Sequence, residues 1–362
     1  MDANDTILRI LDLARWAPSG DNTQPWRFEI VSGSRVVVHG FDTREHCIYD
    51  LDGRASQISL GALLETVQIA AADSGYTIAI QRRGASETRP TFEVALSLDP
   101  AVRPDPLARF IRLRTVQRRA LKTRRLRADE KTALEGSLGE GYEARWFEGF
   151  RQRYRVARLL FANAKLRLTL REAYEVHRRV IEWGARFSET KIPDQAVGLD
   201  PVATRLMQWA MVDWRRVQFF NRYLAGTVLP RLQLDFLPGL ACAAHVLIVA
   251  RSAPTTIDDY IAAGRAVQRF WLTATALGLR HQPSFTPLVF AAYARERRQF
   301  SAEPSSLDEA GKVAGALQEL IGDPDTIRRA VWLGRLGEGS APQARSLRLP
   351  IDKLLHAPRS GP

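Results

Sequence analysis

The chain has 362 residues, 45% of them hydrophobic and 9% aromatic, which is enough for one large or two ordinary globular domains. It carries 52 lysines and arginines against 40 aspartates and glutamates, a net charge of +12. This excess favours an anionic partner, which can be nucleic acid, a membrane surface or a phosphorylated small molecule. The only cysteines, Cys47 and Cys242, and the six scattered histidines support neither a disulfide framework nor a metal site.

The N-terminal sequence MDANDTILRI has acidic residues where a signal peptide would have basic ones. The longest apolar stretch, residues 237–250, is too short to span a bilayer and contains Pro238 and Gly239. We therefore expect a soluble cytoplasmic protein without a membrane partner.

Residues 6–98 predict helices, a hairpin and two further strands. Apolar spacing indicates a helix from Thr6 to Trp16 and a long, mostly buried helix over 56–74. The predicted strands are 26–31, 35–40, 77–81 and 92–98, and the Ser-Gly-Ser turn at 32–34 joins the first two as a hairpin.

The segment DPAVRPDPL (99–107) has three prolines in nine residues and is the best candidate for a domain boundary. We divide the chain there into a first half, 1–100, and a second half, 108–362. In the second half the predicted helices are 129–138, 150–186, 202–225 and 257–278, the predicted strands are 143–147, 243–250 and 330–336, and 188–201 is a loop.

The two halves resemble each other faintly. Each contains an alanine-rich helix, GALLETVQIAAADSGY or AGRAVQRFWLTATALGLR, that ends in Ser-Gly or Leu-Gly before an extended segment. Helices and strands occur on both sides of the boundary. The sequence therefore predicts a mixed α+β fold, and it raises the hypothesis of a duplicated unit.

The stretch WAPSGDNTQPWRF (16–28) leaves backbone groups free to face a ligand, because neither a helix nor a sheet consumes them. Asn22 and Gln24 each carry a donor and an acceptor, which suits the edge of a heteroaromatic ring. The alternative is an Asx-turn that leads into an edge strand, with Trp26 as a core residue.

The stretch RFIRLRTVQRRALKTRRLR (109–127) has nine basic residues and no acidic one. Arg114 and Arg118 are four residues apart, so a helix or tight turn would let both reach one phosphate. A solvated basic face and a nucleic-acid footprint are the alternatives, although the stretch lacks the interleaved aromatic residues of a single-strand binder.

Two later stretches carry further candidates. ATALGLRHQPSFTP (274–287) predicts a helix, a glycine cap and a turn at Pro283 whose backbone N–H groups at Ser284, Phe285 and Thr286 can bond a ligand, while His281 is interpreted as structural. In QARSLRLP (343–350), Arg345 and Arg348 are either a second phosphate clamp or surface ion-pair partners.

Together these stretches resemble the FMN-dependent nitroreductases. APSGDNTQPWRF is similar to that family's Pro-Ser-x-x-Asn-x-Gln-Pro-Trp loop, and RTVQR (114–118) resembles its Arg-x-Ser-x-Lys/Arg motif. The turn at 278–283 and RLP at 348–350 fall where the family places its N5-facing turn and its phosphate arginine. The resemblance implies an FMN site at Pro18, Ser19, Gly20, Asn22, Arg114, Arg118, Pro283, Ser284, Phe285, Thr286, Arg345 and Arg348.

The order of the motifs differs from the ordinary family, in which the arginine motif precedes the loop. Ordinary members are homodimers whose flavin lies between subunits. This chain, with the loop before the arginine motif, is similar in length and layout to the Acg-type branch of single-chain pseudo-dimers. The resemblance therefore implies a nitroreductase-like fold with mixed or antiparallel sheets flanked by helices, and two halves that mimic the homodimer.

Three features depart from the family pattern. Val116 replaces the usual hydroxyl residue of the arginine motif, and no second Pro-Ser-Asn loop follows residue 108. The aromatic helical segment 202–225 falls where the family has variable elements that cover the substrate.

The function implied is that of an FMN-dependent oxidoreductase that passes a hydride from NAD(P)H through the flavin to a small molecule, such as a nitro compound, a quinone or a pathway metabolite. The flavin would carry the chemistry, so we assign no separate catalytic residue. A non-catalytic FMN storage or redox-sensing protein and a basic nucleic-acid-associated protein are the alternatives. The chain is expected to act as a monomer or a homodimer.

Overall fold

In the computed structural model, which describes residues 3–223 and 226–356, two four-stranded antiparallel sheets are flanked by helices. The prediction of a mixed α+β fold with antiparallel sheets is confirmed. Within these ranges, no helix combines the length and the apolar character needed to cross a bilayer.

The first sheet lies in the N-terminal part of the chain. Its elements, in chain order, are α1 (Ala3–Ala14), β1 (Trp26–Ser32), β2 (Arg35–Gly40), α2 (Arg54–Asp73), β3 (Tyr76–Arg83) and β4 (Thr91–Leu98). The strands pair in the order β1-β2-β4-β3. Phe92, Val94 and Leu96 alternate along β4 and point to the core shared with the two helices, as the period of two requires.

The rest of the chain carries the second sheet, further helices and several short strands. Its elements, in chain order, are α3 (Ala128–Gly136), β5 (Tyr142–Phe147), α4 (Gly149–Thr169), α5 (Arg171–Val180), β6 (Ile181–Glu182), β7 (Phe187–Ser188), β8 (Ile192–Pro193), α6 (Pro201–Ala210), α7 (Trp214–Tyr223), α8 (Val228–Arg231), α9 (Leu237–Leu240), β9 (Ala244–Ala250), α10 (Ile257–Ala276), β10 (Leu279–Pro283), α11 (Thr286–Arg295), α12 (Ser306–Ile321), α13 (Pro324–Arg329), β11 (Ala330–Glu338), β12 (Arg345–Ser346) and α14 (Ile351–Leu354).

The second sheet repeats the topology of the first. Its strand order is β5-β9-β11-β10, and all pairs are antiparallel. In this order β5 corresponds to β1, β9 to β2, β11 to β4 and β10 to β3. The helix α10 connects β9 to β10 as α2 connects β2 to β3. Every residue of β9 is buried, which explains its continuous apolar sequence.

The helices α2 and α10 pack against each other at two glycines. A Cβ on Gly61 would lie 2.0 Å from the Ile261 carbonyl oxygen, and one on Gly264 would lie 2.1 Å from the Ile58 carbonyl oxygen. The two contacts are reciprocal, since each glycine meets the residue three positions before the other. Only glycine permits an approach this close, so these two positions fix how the two sheets are arranged.

The C-terminal segment returns to the first sheet. Leu354 is fully buried in the core of α1, α2 and the first sheet, and Leu355 forms a bridge with Phe28 of β1. The His356 N–H also donates to the Phe28 carbonyl at 2.7 Å. The core of the first sheet therefore contains residues from both ends of the chain. The domain boundary at 99–107 stays a prediction.

Three sequence-based boundaries are corrected. The helix expected over 150–186 is two helices that end at Val180, and the loop expected over 188–201 contains the short strand β8. The helix expected over 202–225 is interrupted at 211–213, because the Asp213 carboxylate accepts the Arg215 N–H and starts a new helix there. Residues 224–225, like 1–2 and 357–362 of the two predicted halves, lie outside the described residues.

Replacing Gly61 with alanine should lower the free energy of unfolding by at least about 2 kcal/mol, because the added methyl overlaps backbone rather than a flexible side chain. Gly264→Ala should have a similar effect, and urea unfolding measures both.

The matched control is Gly311→Ala. Gly311 is exposed within α12, and a Cβ there meets nothing within 4 Å. Its replacement should be neutral or stabilise by about 0.5–1 kcal/mol through helix propensity. Equal effects of the three substitutions would contradict the close crossing.

Two buried histidines of the second sheet should make stability depend on pH. Burial lowers the pKa of His245 and of His281 to about 3, so the unfolded chain binds more protons than the folded one between about pH 3 and 6.5. The free energy of unfolding should therefore fall by about 1.5 kcal/mol per histidine between pH 6.5 and 5. In urea unfolding of His281→Gln at the two pH values, the drop in the free energy of unfolding should be smaller by this amount than in the unaltered chain.

Candidate functional site

The loop between α1 and β1 has a strained backbone. Asp21, Asn22 and Gln24 have φ angles of 50°, 62° and 48°, in the left-handed region that non-glycine residues seldom adopt. The Ser19 hydroxyl accepts the Gln24 N–H at 3.0 Å and closes the turn. Such strain persists only where surrounding contacts enforce it, and it is common at functional sites.

The contacts that enforce this loop come from the second half of the chain. Arg348 donates from Nε and Nη2 to the Ala17 carbonyl and from Nη1 to the Asn22 amide oxygen. The Asn22 amide nitrogen donates to the carbonyls of Glu189 and Lys191. Both the amide of Asn22 and the fork of Arg348 are thus engaged within the protein, and they brace the loop.

Gln24 completes the brace. Its amide nitrogen donates to the Glu189 carbonyl at 2.8 Å, and its amide oxygen accepts the Leu349 N–H at 2.9 Å. Pro18 precedes this turn as a half-buried residue. Gly20 faces open space, because a Cβ built there meets no atom within 4 Å. The open side of the loop is therefore at Ser19 and Gly20.

Arg114 lies directly behind the loop. It is buried, its Nη2 donates to the Trp16 carbonyl at 3.0 Å, and its guanidinium lies 4.5 Å from the ring centroid of Trp271. Arg345 donates to the carbonyls of Arg112 and Arg114, and it lies 5.1 Å from the ring centroid of Trp16. The two arginines therefore flank the end of α1.

Arg114, Arg345 and Arg348 form a concentrated positive cluster. Burial lowers the pKa of Arg114, and the positive charges of Arg348 and Arg345 lower it further. Burial lowers the pKa of Arg348 to about 9, with the positive charges of Arg345 and Arg15 adding to the effect. Among the described residues, these three guanidinium groups bond to carbonyl and amide oxygens and to no carboxylate. The cluster lacks a counter-anion from the described part of the chain.

Arg118 is the last residue of the arginine motif at 114–118, which begins with Arg114. It is half-buried, and its Nη1 donates to the Ala196 carbonyl at 3.1 Å. Val116 forms a bridge with His281, so the motif runs beside β10. Arg335 of β11, also buried, donates to the Arg118 carbonyl at 2.5 Å.

The turn after β10 has a mixture of free and engaged groups. The Ser284 N–H donates to the Leu333 carbonyl at 2.8 Å, so it is not available to a ligand as the sequence had suggested. The Thr286 hydroxyl accepts the Asn163 amide at 2.7 Å. The N–H groups of Phe285 and Thr286 donate to no acceptor within the described part of the chain. Pro283, the last residue of β10, pairs with Gly334 of β11.

His281 has a structural environment. It is buried between Trp271 and Trp332, and the Trp332 indole N–H donates to His281 Nε2 at 3.0 Å. Its low pKa keeps it neutral, so the interpretation of this histidine as structural agrees with its surroundings.

A polar pair outside the predicted residues lies near the arginine motif. Arg167 of α4 donates from Nη1 to Asp235 Oδ1 at 3.2 Å, and the buried Oδ2 of Asp235 has no partner in the described chain. Asp235 lies in the π-helical turn Leu232–Phe236. Such turns frequently occur at functional sites because they turn a side chain out of the helical register.

Electrostatic coupling connects this pair to the loop. Burial raises the pKa of Asp21, and the positive charges of Arg118 and Arg167 oppose the rise. Burial and the charge of Arg167 lower the pKa of His177 to about 3, and the Tyr49 hydroxyl lies 3.3 Å from His177 Nε2. Five of these side chains keep some exposure, so we infer that they line a recessed polar surface. They are Asp21, Tyr49, Arg118, Arg167 and His177.

The sequence did not identify Arg167, Asp235, Tyr49 or His177 as site residues. None of them belongs to a local motif, and Arg167 and Asp235 are 68 positions apart. A charged residue within an otherwise apolar helical face was the only available indication, and it is common in surface helices.

A cleft of about 470 Å³ lies at the N-terminal ends of α2 and α10. It is also lined by Phe285 in the turn after β10 and by residues along α11 from Leu288 to Arg295. Its wall is charged, but Arg54 there pairs with Asp52 and Glu296. Because these charges are balanced, we place the candidate site at the loop and the arginine cluster instead.

The residues at the loop fit a phosphate-bearing cofactor. Nε of Arg114 and Nε of Arg345 are buried donors without partners in the described chain, as is the indole nitrogen of Trp16. These donors lie beside the loop whose Gly20 faces open space. The donor set suits a phosphate, which accepts several charge-assisted hydrogen bonds.

No protein-family model matches the chain, and no curated protein matches it in sequence. Among solved structures, the chain is similar to a nitroreductase-like family protein from Bacillus cereus, with 14% identity and a TM-score of 0.36 over 71% of this chain and 97% of that one. It is also similar to an FMN-dependent nitroreductase from Mycobacterium smegmatis, solved in complex with NADPH, with 13% identity and a TM-score of 0.37 over 69% and 97%. Likeness at these scores carries no inference about chemistry.

Proposed function

We propose that the protein is an FMN-dependent oxidoreductase of the nitroreductase superfamily, built as a single-chain pseudo-dimer. The motif resemblance supports this, and so do the two sheets of identical strand order. Contacts among the predicted stretches also support it: Arg114 bonds to Trp16 and Arg348 to Ala17, Arg345 bonds to Arg114, and Val116 pairs with His281. The proposed donor of electrons is NAD(P)H, and the proposed acceptor is a small molecule.

The observation that carries the proposal is the arginine cluster, in which Arg114 and Arg348 are buried and Arg345 is half-buried. Holding three guanidinium groups together without an anion is unfavourable, because each charge opposes the others in a poorly solvated place. A phosphate group that accepts from Arg114 and Arg345 would balance these charges. Arg348 has a different role in this proposal, since it positions the loop through Ala17 and Asn22.

The remaining residues are assigned by their free groups. Ser19, Gly20 and the N–H groups of Phe285 and Thr286 would hold the isoalloxazine ring. Arg118 would supply a fixed positive charge that favours the reduced, anionic flavin. When bound, FMN supplies the hydride chemistry that no protein side chain provides.

The recess of Arg167 and Asp235 is assigned to the second substrate in this proposal. Asp235 holds Arg167 in place through one guanidinium nitrogen and leaves other donors of that group for a ligand. These donors would orient a polar substrate without a separate acid or base.

The nucleic-acid alternative loses its main support. Of the nine basic residues in 109–127, Arg114 is buried, Arg118 is half-buried, and Arg124 pairs with Glu130 and Glu338. Arg112 pairs with Asp12. The stretch therefore does not form one free basic surface.

Arg114→Ala should weaken FMN binding at least about tenfold, because a charge-assisted hydrogen bond to phosphate contributes roughly 1.5–3 kcal/mol. Quenching of FMN fluorescence on titration with the protein gives the dissociation constant. The matched control is Arg112→Ala, two positions away, whose side chain is exposed and pairs with Asp12 on the surface. If both variants bind FMN as the unaltered chain does, the phosphate assignment is wrong.

The purified protein should show the absorption bands of oxidised flavin, and anaerobic NADPH should bleach them. Bands that persist would replace the oxidoreductase proposal with FMN storage or sensing. A protein that stays colourless and takes up no added FMN would overturn the flavin assignment altogether.

A further inference from the structure

The consecutive helices α6 and α7, which we call the helical hairpin, expose a group of large apolar and aromatic side chains. We call this group the hairpin patch, and its members are Val202, Leu206, Trp209, Val212, Phe219 and Tyr223. Their exposed fractions range from 37% to 73%. A cluster of this kind on one surface marks an interaction site, whereas single exposed apolar residues need no explanation.

The patch occupies one face of each helix. Val202, Leu206 and Trp209 are spaced four and three residues apart along α6, and Phe219 and Tyr223 are four apart along α7, so each set lies on a single face. Phe219 and Tyr223 also contact each other, with ring centroids 5.2 Å apart. The hairpin thus presents an ordered surface.

The opposite face of the hairpin is fixed to the protein. Tyr174 of α5 packs on Trp214 at 5.3 Å and donates to the Met211 carbonyl. The Asn221 amide donates to the Leu168 carbonyl, and Val217 is buried. The hairpin is therefore anchored through its inner side, which leaves its outer side to meet something other than the described chain.

Positive charge accompanies the patch. Residues 201–223 contain Arg205, Arg215, Arg216 and Arg222 but only one acidic residue, Asp213. Arg205, Arg215 and Arg222 are exposed. Arg215, Phe219 and Arg222 are four and three residues apart, so arginines and aromatic rings share the outer face of α7.

We propose that the hairpin patch binds the surface of an anionic membrane, with α6 and α7 lying in the interface. Helices that do so combine an apolar face carrying Trp and other large residues with flanking arginines. Tryptophan and tyrosine are favoured at the depth of the headgroups, where one end of the ring meets apolar chains and the other meets water. The arginines meet the lipid phosphates.

Charge distinguishes this occupant from a second copy of the chain. A symmetric contact between two patches would bring the arginines of one copy against those of the other, and like charges at an interface are unfavourable. An anionic lipid surface is complementary to the same arginines. The proposal concerns contact with one leaflet and not a spanning helix, it replaces the sequence-based expectation of no membrane partner, and it is independent of the flavin site.

The test is sedimentation of the full-length protein with vesicles of phosphatidylcholine alone or mixed with phosphatidylglycerol. We expect the protein to sediment with the anionic vesicles and to be released by high salt. Trp209→Ala/Phe219→Ala should weaken binding at least about tenfold through lost apolar burial. Arg205→Gln/Arg215→Gln should weaken it about thirtyfold, since each arginine near an anionic surface contributes roughly a factor of five.

Matched controls remove similar residues elsewhere. Leu98→Ala changes an exposed apolar residue at the end of β4, and Arg89→Gln changes an exposed arginine in the loop before β4. Both should bind vesicles as the unaltered chain does. Circular dichroism confirms that each variant is folded, and a blue shift of tryptophan emission on adding anionic vesicles, reduced in Trp209→Phe, reports insertion of that ring.

Three results would overturn the proposal. The first is a failure to sediment with anionic vesicles at low salt. The second is binding that the patch variants retain in full, which would assign it to another basic surface. The third is a dimer in sedimentation velocity without lipid that the patch variants abolish, which would make a second copy the occupant.

Discussion

The close crossing of α2 and α10 is the constraint on which the arrangement of this protein depends. Two glycines, Gly61 and Gly264, let the backbones approach so nearly that neither position can carry a side chain. Because each helix also covers its own sheet, the crossing sets the relation of the two sheets. That relation brings the loop before β1 to the arginines that follow the first sheet.

Around the crossing, polar contacts add specificity to the close approach. Glu65 of α2 pairs with Arg265 and Arg269 of α10, and Gln268 donates to the Thr66 hydroxyl. The loop at 16–24 depends on similar long-range contacts, since its strained residues are held by Arg348 and by carbonyls near residue 190. The candidate site is therefore a product of tertiary structure, and no single segment contains it.

Much of the secondary structure could be predicted from local patterns. The hairpin of β1 and β2 followed from the Ser-Gly-Ser turn between two apolar runs, and α10 was bounded correctly to within two residues by Gly278. Strand order could not be predicted, because pairing joins segments far apart in sequence. The break at 211–213 was missed because the spacing of aromatic residues typical of a helix continues through it. Asp213, which caps α7, was the only local sign of the break.

The candidate site was predictable in its location more than in its details. Arg114 of the basic stretch contacts the start of the loop at the Trp16 carbonyl, and its role as a cofactor ligand stays a prediction. The sequence cannot say whether an amide such as Asn22 faces a ligand or a carbonyl. In the structure it faces carbonyls. Arg167 and Asp235 were missed because the recess they form depends on the packing of α4 against a π-helical turn, which leaves no local pattern.

The return of the C-terminal segment to the first sheet has a consequence for how the chain folds. Arg348 bonds to Ala17 across 331 positions, and Leu354 enters a core whose other members lie mostly within the first hundred residues. Contacts of such long sequence separation form late, because closing a large loop costs entropy before the contacts are gained. The strained loop is held in its shape by the C-terminal segment, so the candidate site depends on both ends of the chain being in place.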